Sequence, residues 1–350
     1  MHEKRKNRDD WRVYLDQFVD SIRKREIIGS QTQGKRTLEV LRHIIDRYSW
    51  KNGSELYKTI REIGSEIVSI DPSAFSVGIT VRRILNVIRK EYMKLSPNTP
   101  TQMYYFEGTE NCDSYLSGNV NMFLLRSAIF EGINELLHEF GQSWDFDLCL
   151  DIFTQGEKIL IYGYSDLFER LLKFISKKKH NLTVFIVNGD PENNSEVLIS
   201  KITQEHGINT IVISDSCIFN VMPKVNKVIL SANAIFPDGS AVTLSGGYLI
   251  SQAANYFSVP IIVISALYNL SYFPLFDTHN TSLTIPPNLF SDSLKQLLNV
   301  HFTIEKLDLI PGNLIHMFLT ENGSITSLHL YNIYKLRFHF NDVDIYPNIS

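Results

Sequence analysis

The sequence predicts an α/β protein: an all-helical N-terminal domain over residues 1–150, then a Rossmann-like domain over 151–350 built on a doubly wound parallel sheet. Three observations carry this. Five short runs, Lys158–Tyr162, Leu182–Val187, Ile208–Ile213, Lys227–Leu230 and Pro260–Ser265, are too dense in Val and Ile to have one wet face, and read as strands buried on both sides. Stretches with helical spacing (166–177, 194–206 and 248–257) lie between them, and strand–helix alternation implies right-handed crossovers and parallel pairing. Upstream of residue 150, apolar residues recur at intervals of three and four, the stripe of helices packed on one another.

Taken in order, a charged tail leads into a helix with Trp11, Leu15, Phe18, Val19 and Ile22 on one stripe. Gly29 to Gly34 breaks it, and Thr37 to Tyr48 repeats the pattern. Ser54 offers a cap for a third helix through Leu56, Ile60, Ile63 and Ile67, which Asp71-Pro72 ends. Val77 to Met93 carries Val81, Ile84, Leu85, Ile88 and Tyr92 on one side and Arg82, Arg83, Arg89 and Lys90 on the other. The second set reads as a solvated basic face rather than a phosphate site. Ser96 to Gly118 has no apolar period and reads as a long mobile loop. Asn119 to Phe140 closes the helical domain, and Trp144 to Phe153 reads as one more helix leading into the sheet. Further on, 286–298 is an expected helix, 307–311 a short late strand, and 327–340 finishes the α/β domain.

Composition narrows the function classes. A net charge of -4 and a pI near 6.2 give no broad cationic field, which argues against direct nucleic-acid binding. No apolar run approaches the roughly 20 residues that span a bilayer, so no membrane role is expected. Cys112, Cys149 and Cys217 are widely spaced and form no CxxC pair, which suits the reducing cytosol better than a disulfide framework or a zinc site.

The informative loops are those at the carboxyl ends of the strands, where open α/β sheets bind ligands. Gly163-Tyr-Ser-Asp166 lacks the further glycines of a dinucleotide fingerprint, and Ser165 reads as a helix-capping residue rather than a nucleophile. Asp215 and Asn233 follow the third and fourth strands. Ser245-Gly246-Gly247 reads as a tight strand-to-helix turn whose amides can hold an anion. The aromatics Phe236, Tyr248, Tyr256, Phe257, Tyr268, Tyr272, Phe273 and Phe276 crowd one region, and some are expected outside the core, marking an interface.

Three stretches carry a resemblance: Ile45-Asp-Arg-Tyr-Ser-Trp-Lys-Asn-Gly-Ser-Glu-Leu56, Gly78 through Tyr92, and Ala128 through Glu139. So do Ser214 through Leu230, with its Val-Asn-Lys-Val-Ile run, Ala234-Ile-Phe-Pro-Asp-Gly239 and Lys306-Leu-Asp-Leu-Ile-Pro311. In their order the chain resembles the regulatory subunits of eukaryotic translation initiation factor 2B, with the N-terminal helices and length favouring the beta member. These subunits are related to the isomerases of methylthioribose and ribose phosphates.

The resemblance implies a non-catalytic scaffold and regulatory subunit of the guanine-nucleotide exchange factor for initiation factor 2. It also implies a delta-like partner on the α/β domain, contacts with initiation factor 2, and no cofactor. The isomerases use a cysteine after the first strand, an aspartate after the fourth and a phosphate-gripping arginine after the second, where this sequence has Gly163, Asn233 and Asp190. Gly163, Ser165, Asp190, Asn233, Ser245, Gly246 and Gly247 would then line a vestigial pocket. The alternative is a sugar-phosphate or nucleotide-binding module, or a divergent isomerase using Ser165, Asp215 and Asp238.

Overall fold

The computed structural model describes residues 2–24, 26–27, 29–71, 73–96, 120–142, 144–178, 181–189, 195–205, 208–272, 306–339 and 342. The loop expected over 96–118 (Ser96 apart), Asp190, Phe273, Phe276 and the helix expected over 286–298 lie outside them. The chain divides into two compact units, Met1–Gln142 with Ile333–Ser350, and Ser143–Asn332. The C-terminal stretch thus belongs with the helices, where the sequence reading had assigned it to the α/β domain.

In the helical unit α1 (His2–Arg23), α2 (Ser30–Arg47), α3 (Gly53–Ile70), α4 (Phe75–Leu95) and α5 (Met122–Gly141) turn their apolar stripes inward. Ile84, Leu85 and Ile88 of α4 are fully buried, each gaining roughly 1.5–3 kcal/mol over an exposed side chain. Close helix packing needs small residues at the crossings: a Cβ on Gly64 of α3 would stand 2.3 Å from Val81 Cγ1 of α4.

Two expectations are corrected here. The cap of α3 is Asn52, not Ser54; its Oδ1 accepts from the Glu55 amide at 2.8 Å because Asn52 holds the extended backbone a cap requires. The basic side of α4 is not solvated: Arg82, Arg83 and Arg89 are buried. Arg83 meets Glu139 at 2.5 Å and Arg89 meets Asp342 at 2.9 Å, partners 56 and 253 residues downstream. Periodicity identifies a helix face, but not what covers it.

The α/β unit holds a seven-stranded sheet formed by β1 (Lys158–Tyr162), β2 (Thr183–Asn188), β3 (Asn209–Ser214), β4 (Lys227–Ser231), β7 (Ile261–Ile264), β9 (Met317–Thr320) and β10 (Gly323–Ile325). Their order is β10-β9-β7-β4-β1-β2-β3, with all neighbours parallel except the β9–β10 hairpin. A smaller antiparallel sheet joins β5 (Ala234–Ile235), β6 (Ala241–Leu244) and β8 (Leu307–Ile310).

Alternate residues of each central strand feed two cores. Ile159, Ile161, Ile186 and Ile229 join Phe168 and Leu172 of α6 (Asp166–Lys178) on one face. Leu160, Phe185, Val228 and Leu230 join Ile250 and Ala254 of α9 (Gly247–Tyr256) on the other. Burial on both faces is what the β-branched runs predicted. The exception is β3, whose Ile211 and Val212 are 40% and 48% exposed, because a strand at the sheet edge has its faces only partly covered. The helix expected over 144–153 is a 3-10 helix, Phe146–Ile152, and that over 194–206 is α7 (Ser195–Ser200) continued by a π turn. A four-residue α8 (Ile218–Val221) precedes β4.

Candidate functional site

In an open parallel sheet the ligand crevice opens where the strand order reverses, outside the carboxyl ends of the strands. In this sheet the reversal lies between β1 and β4. β1 runs into Gly163, and β4 runs through Ala232 into Asn233, whose amide donates to the Val242 carbonyl at 2.8 Å and starts the smaller sheet.

Gly163 has a φ of +75°, and a Cβ there would stand 2.6 Å from Leu244 Cδ1. A side chain at 163 therefore meets left-handed strain and an occupied space together. Across from it, Tyr162 Oη donates to the Ser245 carbonyl. Gly246 is also left-handed, at φ +102°, with the place of its missing Cβ 2.6 Å from that same phenol oxygen.

At the start of α9 the amides of Gly246 and Tyr248 donate to Asp308 Oδ2 at 2.8 and 3.1 Å. A helix N-terminus attracts negative charge, and here the chain supplies its own carboxylate from β8. The two amides are therefore taken. Sequence reasoning missed Asp308, although a carboxylate inside Leu307-Asp-Leu-Ile310 is a signal: a charge in an apolar strand needs a partner.

The remaining polar loop residues serve their own turns. Ser165 Oγ accepts from the Leu167 amide at 3.3 Å and its carbonyl from the Phe168 amide at 2.9 Å, the work of a cap. Asp215 Oδ1 accepts from the Ser214 hydroxyl at 2.9 Å and the Ser216 amide at 2.7 Å. Asp238 Oδ1 accepts from the Ser240 amide at 2.9 Å and hydroxyl at 2.6 Å. No hydrogen bond links any two of these three among the described residues, so no nucleophile–base–acid relay is assembled.

The titratable groups near the mouth of β1 are stabilised in their resting forms. The Tyr164 hydroxyl is pushed up by burial and by donating to Asp166 at 2.6 Å. The Lys201 ammonium is held protonated by Glu169 at 2.8 Å and by Tyr164 at 3.1 Å. Neither is poised to exchange a proton near neutral pH. Burial also pushes the Cys149 thiol up, which leaves it an inert core residue. Among the described residues no group of three or more His, Cys, Asp or Glu side chains can hold a metal ion, and no helix is long and apolar enough to cross a membrane.

Comparison with known proteins agrees with this picture. The chain is 28% identical to translation initiation factor eIF2B subunit beta of Schizosaccharomyces pombe, over 91% of this chain and 94% of that protein. Its fold is similar to the crystal structure of eIF2B beta from Chaetomium thermophilum, with a TM-score of 0.73 at 21% identity, over 97% of this chain and 96% of that one. A chain of the tetrameric eIF2B-beta2-delta2 complex from the same organism matches with a TM-score of 0.69 at 22% identity, over 94% and 95% of the two chains. The family model described as the Initiation factor 2 subunit family matches residues 26–327, and the chain belongs to that family.

Proposed function

We propose that this chain is a non-catalytic regulatory and scaffold subunit of the guanine-nucleotide exchange factor complex that recycles translation initiation factor 2 from its GDP-bound to its GTP-bound form. The observation that carries this reading is the end of β1: Gly163 offers no side chain there, its φ of +75° disfavours one, and Leu244 Cδ1 lies 2.6 Å from where one would begin. Gly163, Ser165, Asn233, Ser245, Gly246 and Gly247 are then the remains of a pocket, with no cofactor to hold. Exchange chemistry belongs to partner subunits in the cytosol.

The first partner in this reading is a delta-like subunit on the α/β domain. An exposed aromatic group supports a docking role there. Tyr256 is 75% and Phe219 46% exposed, their ring centroids are 6.1 Å apart, and Tyr248 and Leu249 are exposed at the other end of α9. Clustered exposed aromatics favour interfaces. Phe236 and Tyr268, by contrast, are core residues.

Co-expression with a delta-like subunit tests the proposal. The expected result is a stable heterodimer on size exclusion that captures the subunits with exchange activity. The purified chain should leave methylthioribose phosphate and ribose bisphosphate unchanged. A chain that neither captures those subunits nor alters their exchange rate overturns the scaffold reading, and turnover of either sugar phosphate overturns the non-catalytic one.

A further inference from the structure

The charges buried in the helical unit come from both ends of its chain. Asp342, with a side chain only 1% exposed, receives Arg89 Nη2 at 2.9 Å and Tyr57 Oη at 2.7 Å. Just before it, the carbonyls that end α10 (Ser327–Arg337) are taken by α4: Lys90 Nζ donates to Leu336 at 2.9 Å, and Asn86 Nδ2 donates to Arg337. The Arg337 guanidinium lies 2.6 Å from Glu139, the carboxylate that also holds Arg83. Phe338 is buried beside these groups and stacks on Tyr334 at 5.7 Å.

We infer that residues 333–339 together with Asp342 form a latch that closes the helical unit, with Asp342 as its catch. Arg89 is 5% exposed. Without Asp342 it keeps the Asn86 side chain at 2.8 Å but loses its counter-charge, and a buried ion stripped of its partner is strongly destabilising. Among its described residues Phe338 is the one apolar side chain that is buried, while Asp342 and the Leu336 and Arg337 carbonyls hold Arg89, Lys90 and Asn86 of α4, so its hold on α4 is largely polar. Such a hold depends on one partner and one geometry, as a catch does.

Hydrogen exchange on the full-length chain, two full-length variants and one truncated chain tests this. Asp342→Asn keeps the shape and removes the charge; the expected result is at least about 100-fold faster exchange of amides in α3 and α4, with β1, β2, β4 and β7 unchanged. Truncation after Asn332 should give the same local loss. The double variant Arg89→Met with Asp342→Leu, which replaces the ion pair by apolar groups, should recover most of the protection. Exchange within threefold of wild type in both Asp342→Asn and the truncated chain overturns the latch. A loss spread evenly over both units also overturns it, since that is global unfolding. Failure of the double variant to recover overturns Asp342 as an electrostatic catch.

Discussion

Inside the helical unit Arg82, Arg83, Arg89 and Asp342 are buried among Ile, Leu and Val, whereas the central sheet of the α/β unit is covered on both faces by apolar side chains. The α/β unit keeps its buried carboxylates at strand ends, with Glu157 before β1 bonded to Lys227, and Glu321 after β9 accepting from the Leu267 amide at 2.9 Å. Apolar burial is non-directional and tolerates any filler of the right volume. A buried ion pair accepts one partner in one place. The order of the helical unit therefore depends on charge state, and that of the sheet on volume.

The largest expected effect separates the two directly. Arg89→Met should cost the helical unit about 3–5 kcal/mol by leaving Asp342 buried without its cation, and should not change the sheet. Ile229→Ala, at the centre of the sheet, should cost the α/β unit about 3 kcal/mol through lost transfer energy and a cavity. Denaturant melts followed by hydrogen exchange in each unit would check both. Losses that cross from one unit to the other would break the distinction.

Acid should act on the helical unit first. Burial, helped by Arg89, lowers His339 from its ordinary value to about 4, so between pH 6.5 and 4 the unfolded chain takes up a proton that the folded chain refuses. Stability falls as pH drops through that window. Glu139 follows: burial alone would raise its carboxyl, but Arg83 and Arg337 outweigh that and hold it below the usual range, so its contribution is lost below about pH 4.5. Once the slowing of intrinsic exchange at lower pH is divided out, protection in α4 and α5 should therefore fall between pH 7 and 5 while that in β1 and β4 holds. Equal loss of protection in both units would contradict the comparison.

Two smaller effects sharpen it. Asp308→Asn removes a full charge from the start of α9 but keeps a hydrogen-bonding oxygen, and should cost about 1 kcal/mol. Calorimetry should also show no gain in phosphate binding, because the turn stays filled. Arg12→Ala breaks a half-exposed pair with Glu66 at 3.3 Å and should cost under about 0.5 kcal/mol. Only buried charges make the helical unit different.

What was legible in the sequence follows the same division. The strand runs of the sheet could be read because Val and Ile density reports burial wherever it occurs, and β1, β2, β4 and β7 lie where those runs predicted. The same rule misjudged β3, since residue type does not say whether a strand lies at an edge. The basic side of α4 was misread for a related reason: Arg89 and Asp342 are 253 residues apart, and nothing local to either announces the other. Within the site, the turns at Ser165 and Gly246 were legible as punctuation. Leu244 filling the place beside Gly163, and Asp308 at the start of α9, were not, because both contacts join residues far apart in the sequence, 62 positions for Gly246 and Asp308.

The edge strand has a consequence for the chain's fate in concentrated solution. Asn209-Thr-Ile-Val-Ile-Ser214 carries no charge and no proline, and the devices that blunt sheet edges, an inward lysine or a bulge, are missing from it. Such a segment is a template on which another extended chain can add, and six-residue stretches of this composition are those that stack into cross-β fibrils. Aggregation on heating or overproduction should therefore start from this strand, and a lysine at position 212 should delay it without disturbing the core.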